Sequence, residues 1–236
     1  MKTHARSTEA PPGSEKHRAF PVAAAVRMPI GPVTLTGDLE IPQDATGLVL
    51  FAHGSGSSRH SLRNQSVARA LRAAGSGTLL FDLLTREEEA EDANTGHLRF
   101  NIGFLAGRLA AATQWVISLE EAQQLPVGYF GSSTGGAAAL VAAAESDADV
   151  RAVVSRGGRP DLAGEALPFV KAPTLLIVGE CDEEVLRLNE AAYAQLQCEK
   201  RLDVVPRATH LFEEPGALAE VARLAARWFQ KHLGAR

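Results

Sequence analysis

Short stretches that are apolar nearly end to end constrain this chain most: Gly47 to Ala52, Thr78 to Leu84 and Pro173 to Gly179. A strand exposed on one face alternates apolar and polar residues; a strand covered on both faces does not. Between these runs lie segments with helical periodicity, about Ser61 to Ala74, Ile102 to Ala122, Val185 to Leu196 and Gly216 to His232. In the first, Leu62, Val67, Ala70, Leu71 and Ala74 read as facing inward. Further strands are read at Val150 to Val154 and Arg201 to Val205. Strands alternating with helices imply a doubly wound, mostly parallel sheet. Val22 to Val26 and Val33 to Ile41 precede it, and the second of these alternates with period two, as an antiparallel edge does. The fold class is therefore α/β, with an antiparallel N-terminal edge and no large lid.

In open sheets of this kind, chemistry gathers beyond the carboxyl ends of the strands. One such end stands out. Leu125 to Gly128 is a short apolar segment, Gly131-Ser132-Ser133-Thr134-Gly135 has the spacing G-x-S-x-G, and Ala137 to Ala144 is almost pure alanine. That reads as strand, sharp turn and helix. A reversal this tight strains the central residue, exposes its hydroxyl at a helix start, and needs glycine on either side. Ser132 is the neighbouring alternative, but Phe130 and Thr134 occupy the positions where it would need glycines. Asp182 and His210 also fall just past strand ends, so serine, acid and histidine follow in that order along the chain. A serine hydroxyl needs a base to become a nucleophile, and an imidazole titrating near neutrality can take its proton. A carboxylate behind the imidazole fixes its tautomer. Asp203 and Glu213 are alternative acids, one inside a strand and the other after the histidine.

The oxyanion formed on attack requires N–H donors already in place. The Thr134 N–H is the first candidate and the Ser55 N–H the second, with Gly54 as its substitute, in the loop His53 to Ser58. His53 is read as bracing that loop. Arg59 and Arg156 stand near strand ends, where they would meet an anionic group of a substrate or pair with neighbouring acids. Thr85 to Gly96 is acidic and reads as an irregular surface excursion. With the Arg156 to Pro168 region it is expected to form an open mouth.

Composition narrows the remaining classes. A net charge of -4 over 236 residues argues against nucleic acid as the main partner. No run approaches the roughly 20 apolar residues of a spanning helix, so no membrane partner is expected. Met1 to His17 is polar, and residues 1–18 read as a flexible tail ahead of one domain over 19–236. The two cysteines, Cys181 and Cys198, suit reduced thiols in the cytoplasm and do not space as a metal site. No metal or organic cofactor is expected, and the state is read as monomer or dimer.

The segments Phe51 to Arg59, Gly131 to Gly136, Val178 to Asp182 and Ala208 to His210 resemble those of α/β-hydrolases, most closely the dienelactone-hydrolase-related branch. The resemblance covers about Val22 to the C-terminus. It implies a catalytic Ser133, Asp182 and His210, and the open mouth expected without a lid favours a small acyl substrate. Dienelactone hydrolase proper carries a cysteine nucleophile, so Ser133 favours a carboxylesterase-like serine hydrolase. A small cytoplasmic subgroup that it also resembles includes members fused to a phosphoribosyltransferase-like domain; no second domain is expected in this sequence. A peptidase, thioesterase or acyltransferase would share the triad, and a non-catalytic binding protein would share the fold.

Overall fold

The structure is a computed structural model and describes residues 21–145 and 148–234. The expected N-terminal tail lies outside the described residues. Eight strands form one sheet in the order β1-β2-β4-β3-β5-β6-β7-β8. The first two, β1 (Val22–Ile30) and β2 (Val33–Ile41), form a hairpin around Gly31, whose φ of 56° suits glycine. β2 joins β4 (Ser76–Phe81) antiparallel, and all later pairings are parallel. The central strands β3 (Gly47–Ala52), β4, β5 (Val127–Ser132) and β7 (Thr174–Gly179) are buried at every residue, as strands covered on both faces are. β6 (Val150–Arg156) and the edge strand β8 (Lys200–Val205) complete the sheet.

The two sheet faces carry separate cores. On one, α1 (Leu62–Ala73) and α6 (Ala217–Leu233) cover Val49, Phe51, Phe130, Val154 and Ile177. On the other, α3 (Ile102–Ile117), α4 (Thr134–Glu145) and α5 (Glu183–Gln195) cover Leu50, Tyr129, Val153 and Leu176. Phe51 and Phe130 pair across β3 and β5 with ring centroids 4.9 Å apart. Such a pair contributes about 1 kcal/mol beyond its buried area, directly beneath the loops that follow both strands. On the opposite face the Tyr129 hydroxyl shares a 2.8 Å hydrogen bond with Thr113, and burial pushes its pKa up to about 12.

Two expectations change. Thr85 to Gly96 is not irregular: it holds α2 (Arg86–Thr95). Thr85 Oγ1 accepts from the Glu88 N–H while the Glu88 carboxylate accepts from the Thr85 N–H, so each satisfies the other's free donor. Gly96 closes the helix at φ 68°. Asp92 then ties this helix to the segment leading into α3, accepting from the Leu98 and Arg99 N–H groups and from the Arg99 guanidinium. Leu62 does not face inward: as the first residue of α1 after its cap, Ser61, it is 79% exposed.

Candidate active site

The turn after β5 has the strain that its sequence implies. Ser133 has φ 52°, in the left-handed region where a residue with a Cβ costs about 1–3 kcal/mol. Its neighbours hold it there. The Ser133 N–H points to the Arg156 carbonyl at 3.4 Å, and its own carbonyl accepts from Gly136 at 3.0 Å and Arg159 at 3.1 Å. The flanking glycines are sterically required: a Cβ at Gly131 would stand 2.6 Å from the Gly136 Cα, and one at Gly135 would stand 2.6 Å from the His53 carbonyl oxygen. Ser132, by contrast, ends β5 and is buried.

The acid and the histidine are joined. The His210 Nδ1–H donates to Asp182 Oδ2 at 2.6 Å, leaving Nε2 as the free ring nitrogen. Asp182 occupies the N-cap position of α5, yet makes no capping bond. Its carboxylate is directed to the imidazole instead of the helix. Asp203 faces Arg201, and Glu213 faces Arg63, so neither competes for His210. The first glycine after β6 packs on the histidine. Gly157 donates to the Ile177 carbonyl, and a Cβ on it would stand 3.6 Å from His210 Cε1. The Ser133 N–H and carbonyl meanwhile bond to residues 156 and 159, on either side. Arg156 and Gly157, consecutive in the chain, therefore touch Ser133 and His210 respectively, and among the described residues no hydrogen bond joins Ser133 to His210.

The loop after β3 packs on the serine. A Cβ at Gly54 would lie 2.9 Å from the Ser133 Cβ, so only glycine fits. His53 is buried and bridges two backbones: its Nε2 accepts from the Leu83 N–H at 3.1 Å, so the proton sits on Nδ1, which donates to the Gly54 carbonyl at 3.0 Å. Burial lowers the His53 pKa, opposed by the Gly54 carbonyl and by Asp82 and Glu89. This is the bracing role expected for it. The Ser55 N–H, expected to await an oxyanion, is already engaged: it donates to Thr134 Oγ1 at 2.9 Å.

The arginines also depart from a substrate-facing role. Arg59 bonds Asp82 through both its backbone N–H and its guanidinium, reaches Thr36 at 3.1 Å, and pairs with Asp38 at 3.4 Å. It fastens the loop to the N-terminal hairpin. Arg156 is 6% exposed, lies over the Phe212 ring at 5.8 Å and makes one long bond to Asn64. Among the described residues it has no acidic partner, and burial with the nearby Arg63 lowers its pKa to about 10. A cavity of about 620 Å³ opens between the 53–63 loop and α2. Leu84 and Leu105 supply its apolar wall, His60 a polar ring, and Arg63 and Glu89 charge. Arg156 and the segment after it do not line it, so the expected mouth is formed on the α2 side alone. Among the described residues no cluster of three His, Cys, Asp or Glu is arranged to hold a metal ion. No described helix is long and apolar enough to cross a membrane.

Residues 37–233 match the dienelactone hydrolase family. The chain belongs to that family. A crystal structure of a dienelactone hydrolase from Anabaena variabilis is 62% identical, covers 90% of this chain and 98% of its own, and superposes with a TM-score of 0.88. Est1E of Butyrivibrio proteoclasticus, at 16% identity, covers 89% and 99% with a TM-score of 0.74, which shows the shared α/β-hydrolase fold. A Mycobacterium tuberculosis protein provisionally named a phosphoribosyl transferase is 57% identical over 208 residues, covering 88% of this chain. The chain spans only 46% of that relative's length.

Proposed function

We propose that this member of the dienelactone hydrolase family is a serine hydrolase that cleaves small ester or related acyl compounds through an acyl-enzyme. The observation that carries the reading is the 2.6 Å bond between His210 Nδ1 and an Asp182 carboxylate withdrawn from its helix cap. It fixes the imidazole with Nε2 available as a base. Ser133 Oγ attacks the substrate carbonyl carbon as its proton passes to His210 Nε2. Collapse of the tetrahedral intermediate breaks the bond to the leaving group, which takes that proton. Water then repeats the sequence on the acyl-enzyme and releases the acid. The 62% identity to a dienelactone hydrolase supports hydrolysis as the chemistry. A serine at position 133 makes the nucleophile an alcohol, which needs the base throughout.

The cavity of about 620 Å³ falls within the roughly 300–1,000 Å³ of small-molecule sites. Ser133, Asp182 and His210 are not in its lining, but Gly54 is, and Gly54 packs on the Ser133 side chain; the mixed lining suits a short acyl compound with polar substituents. A fluorophosphonate should label wild-type protein at Ser133, as read by mass spectrometry of the modified peptide. Ser133→Ala should lose at least about 10³-fold in turnover of a short p-nitrophenyl ester while circular dichroism is unchanged. Full turnover in that variant would refute the reading.

A further inference from the structure

The two backbone N–H groups next to Ser133 are in different states. The Thr134 N–H opens α4, where no carbonyl of the same helix precedes it. The Ser55 N–H is held by the Thr134 side chain. That leaves the Thr134 hydroxyl in an unusual position. A hydroxyl carries one proton and can accept two bonds. Here Oγ1 accepts from Ser55, while its own proton meets no acceptor among the described residues. Thr134 is 3% exposed, so that proton has little access to bulk water either. A buried donor without a partner is retained where some state of the molecule supplies one.

The surrounding contacts show that this arrangement is built rather than incidental. His53, its tautomer set by the Leu83 N–H, binds the Gly54 carbonyl. That fixes the Gly54–Ser55 peptide plane and so the direction of the Ser55 N–H. Gly54 is in turn wedged against the Ser133 side chain. The bond from Ser55 to Thr134, across 79 residues of sequence, is the point where the two loops meet.

We infer that the Thr134 hydroxyl is a catalytic donor to the oxyanion, in the place assigned on sequence grounds to the Ser55 N–H. The inference rests on the serine hydrolase reading of this same site. As Ser133 Oγ attacks, the carbonyl π electrons move to oxygen. That oxygen receives the Thr134 N–H and the Thr134 Oγ1–H together, since the two groups are three bonds apart on one residue. The Ser55 N–H stays on Oγ1 and polarises the hydroxyl, making it a stronger donor as negative charge develops. When the intermediate collapses, the electrons return to the carbonyl and the hydroxyl keeps its proton throughout.

The test compares Thr134→Val, which keeps shape and removes the hydroxyl, with Thr134→Ser, which keeps the hydroxyl, on a short p-nitrophenyl ester. Thr134→Val should lower kcat about 10²–10³-fold with KM within a few-fold, and Thr134→Ser should stay within about tenfold of wild type. Melting temperature and circular dichroism report the fold; should the Val variant not fold, Thr134→Ala against Thr134→Ser gives the same contrast. Undiminished or increased kcat without the hydroxyl would overturn the inference, because the freed Ser55 N–H would then be the donor. Ser133→Ala separates the two levels. If it is inactive while Thr134→Val is unimpaired, only this inference fails; if it stays active, the serine hydrolase reading fails as well.

Discussion

The site is made of two loops held in opposite ways. The turn at Ser133 is held by close packing: its strained residue and two glycines lie between Gly131 and Gly135, where an added Cβ would strike backbone. The loop from His53 to Arg59 is held from a distance. Its anchors are Leu83, Thr134, Asp82, Asp38 and Thr36, reached through side chains. One loop is made rigid by lack of space, the other by directional polar bonds. A steric hold fails abruptly when volume is added, whereas a hydrogen-bonded hold weakens one bond at a time.

Matched glycine substitutions should expose this difference most strongly. At Gly135 an added Cβ runs into the Ala52 and His53 carbonyls, which are backbone and cannot turn away. Gly135→Ala should cost more than about 4 kcal/mol in denaturant unfolding, or leave no soluble protein. Gly56, in the other loop, has φ 69° but open space around it. Gly56→Ala should cost only about 1 kcal/mol, the left-handed penalty alone. Equal losses at the two positions would break the distinction.

The polar anchors come next. Asp82→Ala removes the carboxylate that takes both the Arg59 backbone N–H and its guanidinium. Arg59 retains the more exposed Asp38. Charge-assisted bonds of this kind contribute about 1.5–3 kcal/mol, so a loss of about 2 kcal/mol is expected in urea melts. Ester turnover should fall with it, since this loop carries Gly54 and Ser55. Ser133→Gly should move in the opposite direction. It relieves the φ of 52° and should raise stability by about 1 kcal/mol, while abolishing turnover. An unchanged or lower melting temperature would mean that the turn stores no strain at Ser133.

The same division explains what could be read in the sequence. The buried strands and the strained turn were legible because their causes are local: unbroken apolar runs, and paired glycines around one serine. The Asp182–His210 pairing was legible through chain order and strand ends. The engagement of the Ser55 N–H was not, because Thr134 lies 79 residues away and nothing near Ser55 announces it. Arg59 and Arg156 looked alike in the sequence. One is surrounded by acids brought from β2 and the end of β4, and the other is buried against Phe212 with none among the described residues. The helix α2 was readable but was masked by its charge: Thr85 and Glu88 have the spacing of a reciprocal cap, and Gly96 that of a stop. Composition suggested a solvated loop, while the cap residues specified a helix.

The smallest effect expected is a pH dependence, and it tests the distant anchoring most directly. His53 accepts from the Leu83 N–H, which only the neutral ring can do. Burial holds its folded pKa below the ordinary 6.5. Below about pH 6.5 the unfolded chain therefore binds a proton at this position that the folded protein refuses, and stability falls as pH falls. The loss continues until the folded pKa is reached, with a slope of at most about 1.4 kcal/mol per pH unit for one proton. His232, also lowered by burial, adds a slope of the same sign, so the informative quantity is a difference. His53→Asn keeps a donor and an acceptor but does not titrate. Urea melts between pH 5 and 7 should show a shallower acid loss in this variant, with the His232 contribution common to both proteins. Identical slopes would mean that His53 accepts a proton without cost in the folded state, and its bridge between Leu83 and Gly54 would then not be what holds the loop.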